Sequence, residues 1–157
     1  MGYTSQVRFM TTTKGFEKIK KLAKERYADL LKKEMEQGEI DEKWTKDGEV
    51  CVRKSVDGGY SYGSIYYKEL PTDYEICEKT SDGKYVMFGF DWVKWLGYDH
   101  LERKATEYAC DKCGEFVRCL LVGEDGATEE SEWNDEKDDG GMPYVSAYTC
   151  IDDGEWC

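Results

Sequence analysis

The sequence contains one histidine, His100, and none of the short motifs that mark common catalytic sites. It has no glycine-rich phosphate-binding loop, no serine in a nucleophile elbow and no His-Glu-x-x-His zinc motif. A histidine that acts as a general base needs a positioned partner, and the sequence marks none near His100. These absences predict that the protein is not an enzyme.

Long apolar runs are also absent. No stretch approaches the ~20 apolar residues that a membrane-spanning helix requires, and the first residues lack the charged and apolar regions of a secretory signal. The seven cysteines are odd in number, so they cannot all pair as disulfides within one chain, and reduced thiols fit a cytosolic protein better. We therefore expect a soluble, intracellular protein that does not bind a membrane.

The length of the chain bounds its organisation. A chain of 157 residues can form one domain that buries roughly 70% of its unfolded surface, and it is too short for a second full domain. Hydrophobic residues make up 39% and aromatic residues 14%, which argues against disorder although 36% of the residues are charged. We expect residues 1–157 to form a single domain.

The first half of the sequence predicts a strand, a long helix and two hairpins. Residues 3–12 alternate as a strand does, and apolar residues then recur at helical spacing up to Gly38, which predicts a helix of about 22 residues. Two hairpins are expected between residues 49 and 90, with turns at residues 57–59 and 81–83. Consecutive hairpins favour an antiparallel sheet.

The second half predicts fewer elements. A helix over residues 99–112 begins with Asp99 as a capping residue, and residues 115–122 form an apolar run typical of an interior strand. A last strand is expected near residues 144–148. The complete pattern predicts an α+β fold with two helices and a mainly antiparallel sheet.

Cys110 and Cys113 have the spacing of a zinc knuckle, in which two thiolates bind one metal and a following glycine turns backbone amides toward the sulfurs. A closed tetrahedral site needs two further ligands. The chain offers Cys150 and Cys157, and His100 and Cys119 are possible substitutes for either of them. Alternatively, the two knuckle cysteines are small apolar residues at a helix end. The sequence predicts a structural Zn²⁺ with four thiolate ligands: Cys110, Cys113, Cys150 and Cys157.

The net charge of -12 falls in the second half of the chain. Residues 1–80 carry 15 basic and 15 acidic residues, whereas residues 81–157 carry 7 and 19. The segment 124–142 is expected to be an acidic loop, which repels nucleic acid and attracts metal ions or basic protein surfaces. The alternative is a solvated loop without a partner. The predicted partner-binding residues are Glu129, Glu130, Glu132, Asp135, Glu136, Asp138 and Asp139.

Three short segments resemble proteins of phages and prophages. The opening Met1-Gly2-Tyr3-Thr4-Ser5-Gln6-Val7 resembles the Met-Gly-Tyr-x-Ser-x-Val start of a loose set of small phage and prophage proteins. Phe90-Asp91-Trp92-Val93-Lys94-Trp95 and Val122-Gly123-Glu124-Asp125 resemble segments of the same set, whereas residues 126–157 lie outside the resemblance. With the Cys-x-x-Cys-Gly knuckle, the combination is similar to metal-bearing anti-CRISPR proteins directed at type II RNA-guided nucleases. The resemblance implies a phage protein that acts in the cytoplasm of the infected bacterial host.

Charge and resemblance lead to one predicted mechanism. An RNA-guided nuclease holds its heteroduplex in a positively charged channel through backbone contacts, so an acidic protein can occupy this channel and block nucleic-acid loading without binding nucleic acid itself. Two alternatives remain. One is a zinc-stabilised nucleic-acid-binding module that uses the basic first helix and the tyrosine-rich hairpin. The other is a phage protein that sequesters a signalling nucleotide.

Overall fold

The computed structural model of the protein describes residues 4–36, 40–46, 49–54, 74, 76–94, 101–146 and 149–152. The helices and strands are β1 (Thr4–Thr12), α1 (Thr13–Glu36), β2 (Ile40–Lys46), β3 (Glu49–Lys54), β4 (Ile76–Lys79), β5 (Tyr85–Lys94), α2 (Leu101–Lys112), β6 (Val117–Gly123), β7 (Thr128–Trp133), β8 (Tyr144–Val145) and β9 (Ile151–Asp152). A short 3-10 turn, Asp135–Lys137, follows β7.

Five strands form one antiparallel sheet in the spatial order β4-β5-β1-β6-β7. The predicted α+β fold with two helices and a mainly antiparallel sheet is thereby confirmed. β6 corresponds to the strand expected over residues 115–122, and it is an interior strand because β1 and β7 flank it. Two further pairs, β2-β3 and β8-β9, form separate two-stranded sheets.

The structure tests one of the two predicted hairpins in full and the other only in part. The hairpin around residues 81–83 is confirmed as β4-β5, with Gly83 at a positive φ of 71°. The strand expected near residue 50 is β3, but its described partner is β2, which the sequence pattern missed because β2 is mostly polar. The predicted return strand over residues 60–66 and its tyrosines lie outside the described residues.

The predicted acidic loop over residues 124–142 contains regular structure. Residues Thr128–Trp133 form β7, which pairs with β6 at one end of the five-stranded sheet. The expectation of a loop missed this strand because five of its six residues are polar and give no apolar alternation. The final strand expected near residues 144–148 is confirmed only in part, as the two-residue β8.

Both helices cover one face of the sheet, which we call the helix face. Alternation along β1 directs Val7 and Phe9 to this face, where they join apolar residues of both helices and of β5 and β6. Phe9 stacks on Phe88 with ring centroids 5.3 Å apart. Within the described residues, no helix is both long and apolar enough to cross a membrane.

The opposite face of the sheet, which we call the second face, carries a smaller apolar cluster. Its buried members are Met10, Met87, Phe116 and Met142. Val145 of β8 and Ile151 of β9 pack against this cluster and are partly buried. The chain after β7 therefore returns across the second face and brings β8 close to β7.

Candidate interaction surface at the acidic edge of the sheet

The structure brings the seven predicted partner-binding residues into one continuous stretch at a sheet edge, which we call the acidic edge. All seven side chains are exposed. Three lie on β7, two in the following 3-10 turn and two directly after this turn. In chain order they are Glu129, Glu130, Glu132, Asp135, Glu136, Asp138 and Asp139.

The glutamates of β7 project from both sides of the sheet. Glu130 and Glu132 lie opposite Leu120 and Arg118 of β6, on the second face. Glu129 lies opposite Leu121 and therefore on the helix face. Because a strand rises about 3.4 Å per residue, Glu130 and Glu132 are about 7 Å apart along the edge. The strand backbone fixes this spacing, which a loop would not.

Arg118 of β6 ties the acidic edge and β8 to the second face. Its Nη1 donates a 2.7 Å hydrogen bond to the carbonyl oxygen of Met142. Its guanidinium also forms ion pairs with Glu132 at 3.5 Å and Asp138 at 3.7 Å. The Arg118 side chain is only 10% exposed, so these contacts are shielded from solvent on the arginine side.

Most carboxylates of the acidic edge have no cationic partner within the described residues, and Lys137 is the one basic residue in the stretch 129–139. Glu132 and Asp138 share Arg118, and Asp138 and Asp139 also accept backbone hydrogen bonds from the glycines two residues later. The other four side chains form no ion pair or hydrogen bond within the described part of the chain: Glu129, Glu130, Asp135 and Glu136. Partial burial raises the pKa of Tyr85 above its usual value, and the negative charge of Asp139 raises it further. The edge therefore carries a strong negative potential.

A shallow groove runs along the second face beside this edge. Its floor includes Leu120 and Arg118, and Glu130 and Glu132 form one wall. Tyr144 of β8 forms part of the other wall and is 57% exposed. The groove thus combines apolar, aromatic and acidic surfaces with the guanidinium of Arg118, which itself stacks on Tyr144 and pairs with Glu132.

The predicted zinc-knuckle cysteines lie together at the end of α2, buried against the helix face. Cys113 Sγ accepts a 3.4 Å hydrogen bond from the backbone N–H of Glu115, as a knuckle sulfur does. The Asn134 side chain bridges the carbonyl oxygens of Cys110 and Glu115, each at 2.9 Å. Burial raises the pKa of both thiols, that of Cys110 well above its usual value. Without a bound metal, both cysteines are therefore neutral thiols.

The second pair of predicted zinc ligands is not assembled within the described residues. Cys150 participates in a disulfide, a state in which its sulfur is not a thiolate donor. Cys157 and His100 lie outside the described residues. In the part of the chain that the structure describes, no three His, Cys, Asp or Glu side chains are grouped to hold a metal ion. The zinc site stays a prediction.

Sequence reasoning missed the residues that organise this surface. Arg118 carried a usable signal, since it is a charged residue inside the apolar run of β6, where burial requires polar partners. Asn134 has φ of 56° and carried a weaker signal, because asparagine tolerates the left-handed region. Tyr144 carried none, because its contact with Arg118 joins residues 26 positions apart.

Comparisons with known proteins identify no relative. No protein-family model, curated protein or solved structure matches the chain. The function is therefore inferred from the geometry and charge of the acidic edge.

Proposed function

We propose that the protein is a phage-encoded inhibitor of a type II RNA-guided nuclease. It binds the basic nucleic-acid channel of the nuclease through the acidic edge and blocks nucleic-acid loading, with no catalytic step of its own. One observation carries the proposal: four exposed carboxylates without cationic partners in the described chain lie in one stretch on and beside β7.

The rigidity of β7 supports binding. A charged loop must lose backbone freedom when it binds, whereas the backbone that carries the glutamates of β7 is already ordered by pairing with β6. A negative surface of this kind accelerates encounter with a basic channel, and salt weakens the effect. A charged edge strand also prevents aggregation, and this role alone predicts no partner.

The proposal is tested by neutralising the four carboxylates that have no cationic partner among the described residues. This variant combines Glu129→Gln, Glu130→Gln, Asp135→Asn and Glu136→Gln. It leaves Glu132 in place because Glu132 pairs with Arg118. The matched control removes four exposed carboxylates elsewhere: Glu25→Gln, Asp29→Asn, Glu78→Gln and Asp111→Asn. Both variants change the net charge by the same amount.

The measurements are affinity for a purified type II nuclease bound to guide RNA, and inhibition of DNA cleavage, each at two salt concentrations. We expect the edge variant to bind more weakly, mainly through a slower association rate, and with less salt dependence. The control variant should bind nearly as the wild type does. Equal affinity of the wild-type protein and the edge variant at both salt concentrations would show that the acidic edge is not the binding surface.

A further inference from the structure

The backbone of β7 presents hydrogen-bonding groups in a defined pattern. Gly123 N–H donates a 2.9 Å hydrogen bond to the Ala127 carbonyl oxygen at the start of the β6-β7 hairpin. In an antiparallel pair, hydrogen-bonded and non-hydrogen-bonded positions alternate. The backbone groups of Glu129, Ser131 and Trp133 therefore point toward β6. Those of Thr128, Glu130 and Glu132 point away from the sheet.

This outer edge has no partner strand within the described residues. β7 pairs only with β6, and the outward groups belong to residues whose side chains are exposed. β7 has six residues, so the edge is about 20 Å long, as long as an ordinary strand. Such an edge can accept another extended segment.

Charge restricts which segment can bind. β7 carries three glutamates and no basic residue, whereas the opposite edge of the sheet, β4, carries Glu78 and Lys79 and is neutral. Pairing two copies of β7 would bring glutamates together, and like charges opposite each other destabilise a strand pair. A segment with lysine or arginine at alternate positions would instead place a basic side chain opposite Glu130 and another opposite Glu132.

We propose that a basic extended segment of the partner adds to β7 as a further strand of the sheet. Its backbone pairs with Thr128, Glu130 and Glu132, and its basic side chains pair with the glutamates. The inference deepens the proposed function and rests on it for the identity of the partner, but the strand addition itself is tested with a peptide.

The probe is the peptide acetyl-Lys-Thr-Lys-Thr-Lys-Thr-Lys-amide, studied with the full-length protein. A second peptide of the same sequence and charge carries N-methyl groups on the backbone nitrogens of its lysines, which removes those hydrogen-bond donors. We expect the parent peptide to bind at least roughly tenfold more tightly. Equal binding of both peptides would overturn strand addition and leave only charge attraction.

Amide hydrogen exchange gives a residue-level readout. In the unbound protein, the amides of Thr128, Glu130 and Glu132 should exchange quickly, and those of Ser131 and Trp133 slowly. The parent peptide should slow exchange at the first three positions. Unchanged exchange at these three positions with saturating peptide would contradict the proposal.

A variant pair separates backbone from charge in the nuclease complex. Glu130→Pro removes the outward N–H and the charge, whereas Glu130→Gln removes only the charge; proline fits because the lost N–H is not bonded to β6. We expect weaker nuclease binding for Glu130→Pro than for Glu130→Gln.

If Glu130→Pro fails to fold, the comparison of the two peptides still tests the strand addition. Peptide binding without nuclease binding would refute the proposed function alone, and equal nuclease binding by both folded variants would refute the strand addition alone.

Discussion

The Arg118 guanidinium stacks on the ring of Tyr144, with 3.8 Å between its central carbon and the ring centroid. The same guanidinium lies 5.0 Å from the ring of Phe116, the residue just before β6, and donates a hydrogen bond to the carbonyl oxygen of Met142. One side chain thus joins β6, β8 and the segment that follows the acidic edge.

Replacing Arg118 should therefore destabilise the protein. Lysine keeps the charge but has neither the planar surface that stacks on Tyr144 nor the forked donors of a guanidinium. We expect Arg118→Lys to lower the free energy of unfolding by about 1.5–3 kcal/mol, the range for hydrogen bonds of a charged group. Urea denaturation measures this change. The control is Arg26→Lys, because Arg26 also stacks on a tyrosine, Tyr108, at the surface. A loss as large for Arg26→Lys would contradict a special role for Arg118.

Gly89 should tolerate no side chain. A Cβ atom at this position would overlap the carbonyl oxygen of Val7, where the pairing of β1 and β5 shifts register between Ser5 and Val7. Gly89→Ala should lower the free energy of unfolding by more than ~3 kcal/mol, because the clash is with backbone inside the sheet. Gly83→Ala is the control: its φ is 71° but it has open space, so we expect a loss of about 1–2 kcal/mol. Similar melting temperatures for the two variants would refute this prediction.

The buried thiols should make the protein less stable at alkaline pH. Burial, which dominates, raises the pKa of Cys119 to about 12, from 9.0 for an ordinary thiol. Above pH 9 the unfolded chain releases this proton while the folded protein keeps it. The free energy of unfolding should thus fall with rising pH between about 9 and 12, by about 1.4 kcal/mol per pH unit for this thiol.

Urea denaturation at pH 8 and pH 10 measures this fall, and the Cys119→Ala variant identifies its source. The variant loses packing at both pH values, but it should lose less stability than the wild type between them. An unchanged difference between pH 8 and pH 10 in Cys119→Ala would show that another group causes the alkaline effect.

The zinc prediction is tested by elemental analysis of protein purified without chelators. If Cys110, Cys113, Cys150 and Cys157 form the predicted closed site, the protein contains about one zinc ion per chain, whose binding energy contributes to folding. This outcome requires that the disulfide of Cys150 be reduced. Cys110→Ser and Cys113→Ser should each lower zinc content and melting temperature. Cys77→Ser, at an exposed position of β4, should change neither. Wild-type protein without metal would remove the zinc site, and Cys110 and Cys113 would then be core residues only.

Local signals in the sequence were sufficient for several elements. The β4-β5 hairpin is predicted by a glycine-containing turn between two strand-like segments, and α2 by a capping residue and helical spacing. β6 is predicted by an apolar run over residues 115–122. Each of these signals lies within one short segment. The charge of the candidate site was likewise evident, since all seven acidic residues are neighbours in sequence.

Two strands had only weak signals in the sequence. β2 is nearly all polar, and its only local signal is Asp47-Gly48 between it and β3, a dipeptide typical of tight hairpins. β7 lacks apolar alternation because an edge strand is held mainly by backbone hydrogen bonds to β6, which do not depend on side-chain type.

The sequence by itself therefore determined that the protein has a concentrated negative charge, two helices and an antiparallel sheet. Only the tertiary structure decided that the charge lies on a sheet edge, that Arg118 ties this edge to Tyr144, and that the backbone of Thr128, Glu130 and Glu132 faces outward. The physical reason is that periodicity and turn chemistry act over a few residues. Strand order, register and the partner of a buried charge follow instead from packing between segments far apart in the chain.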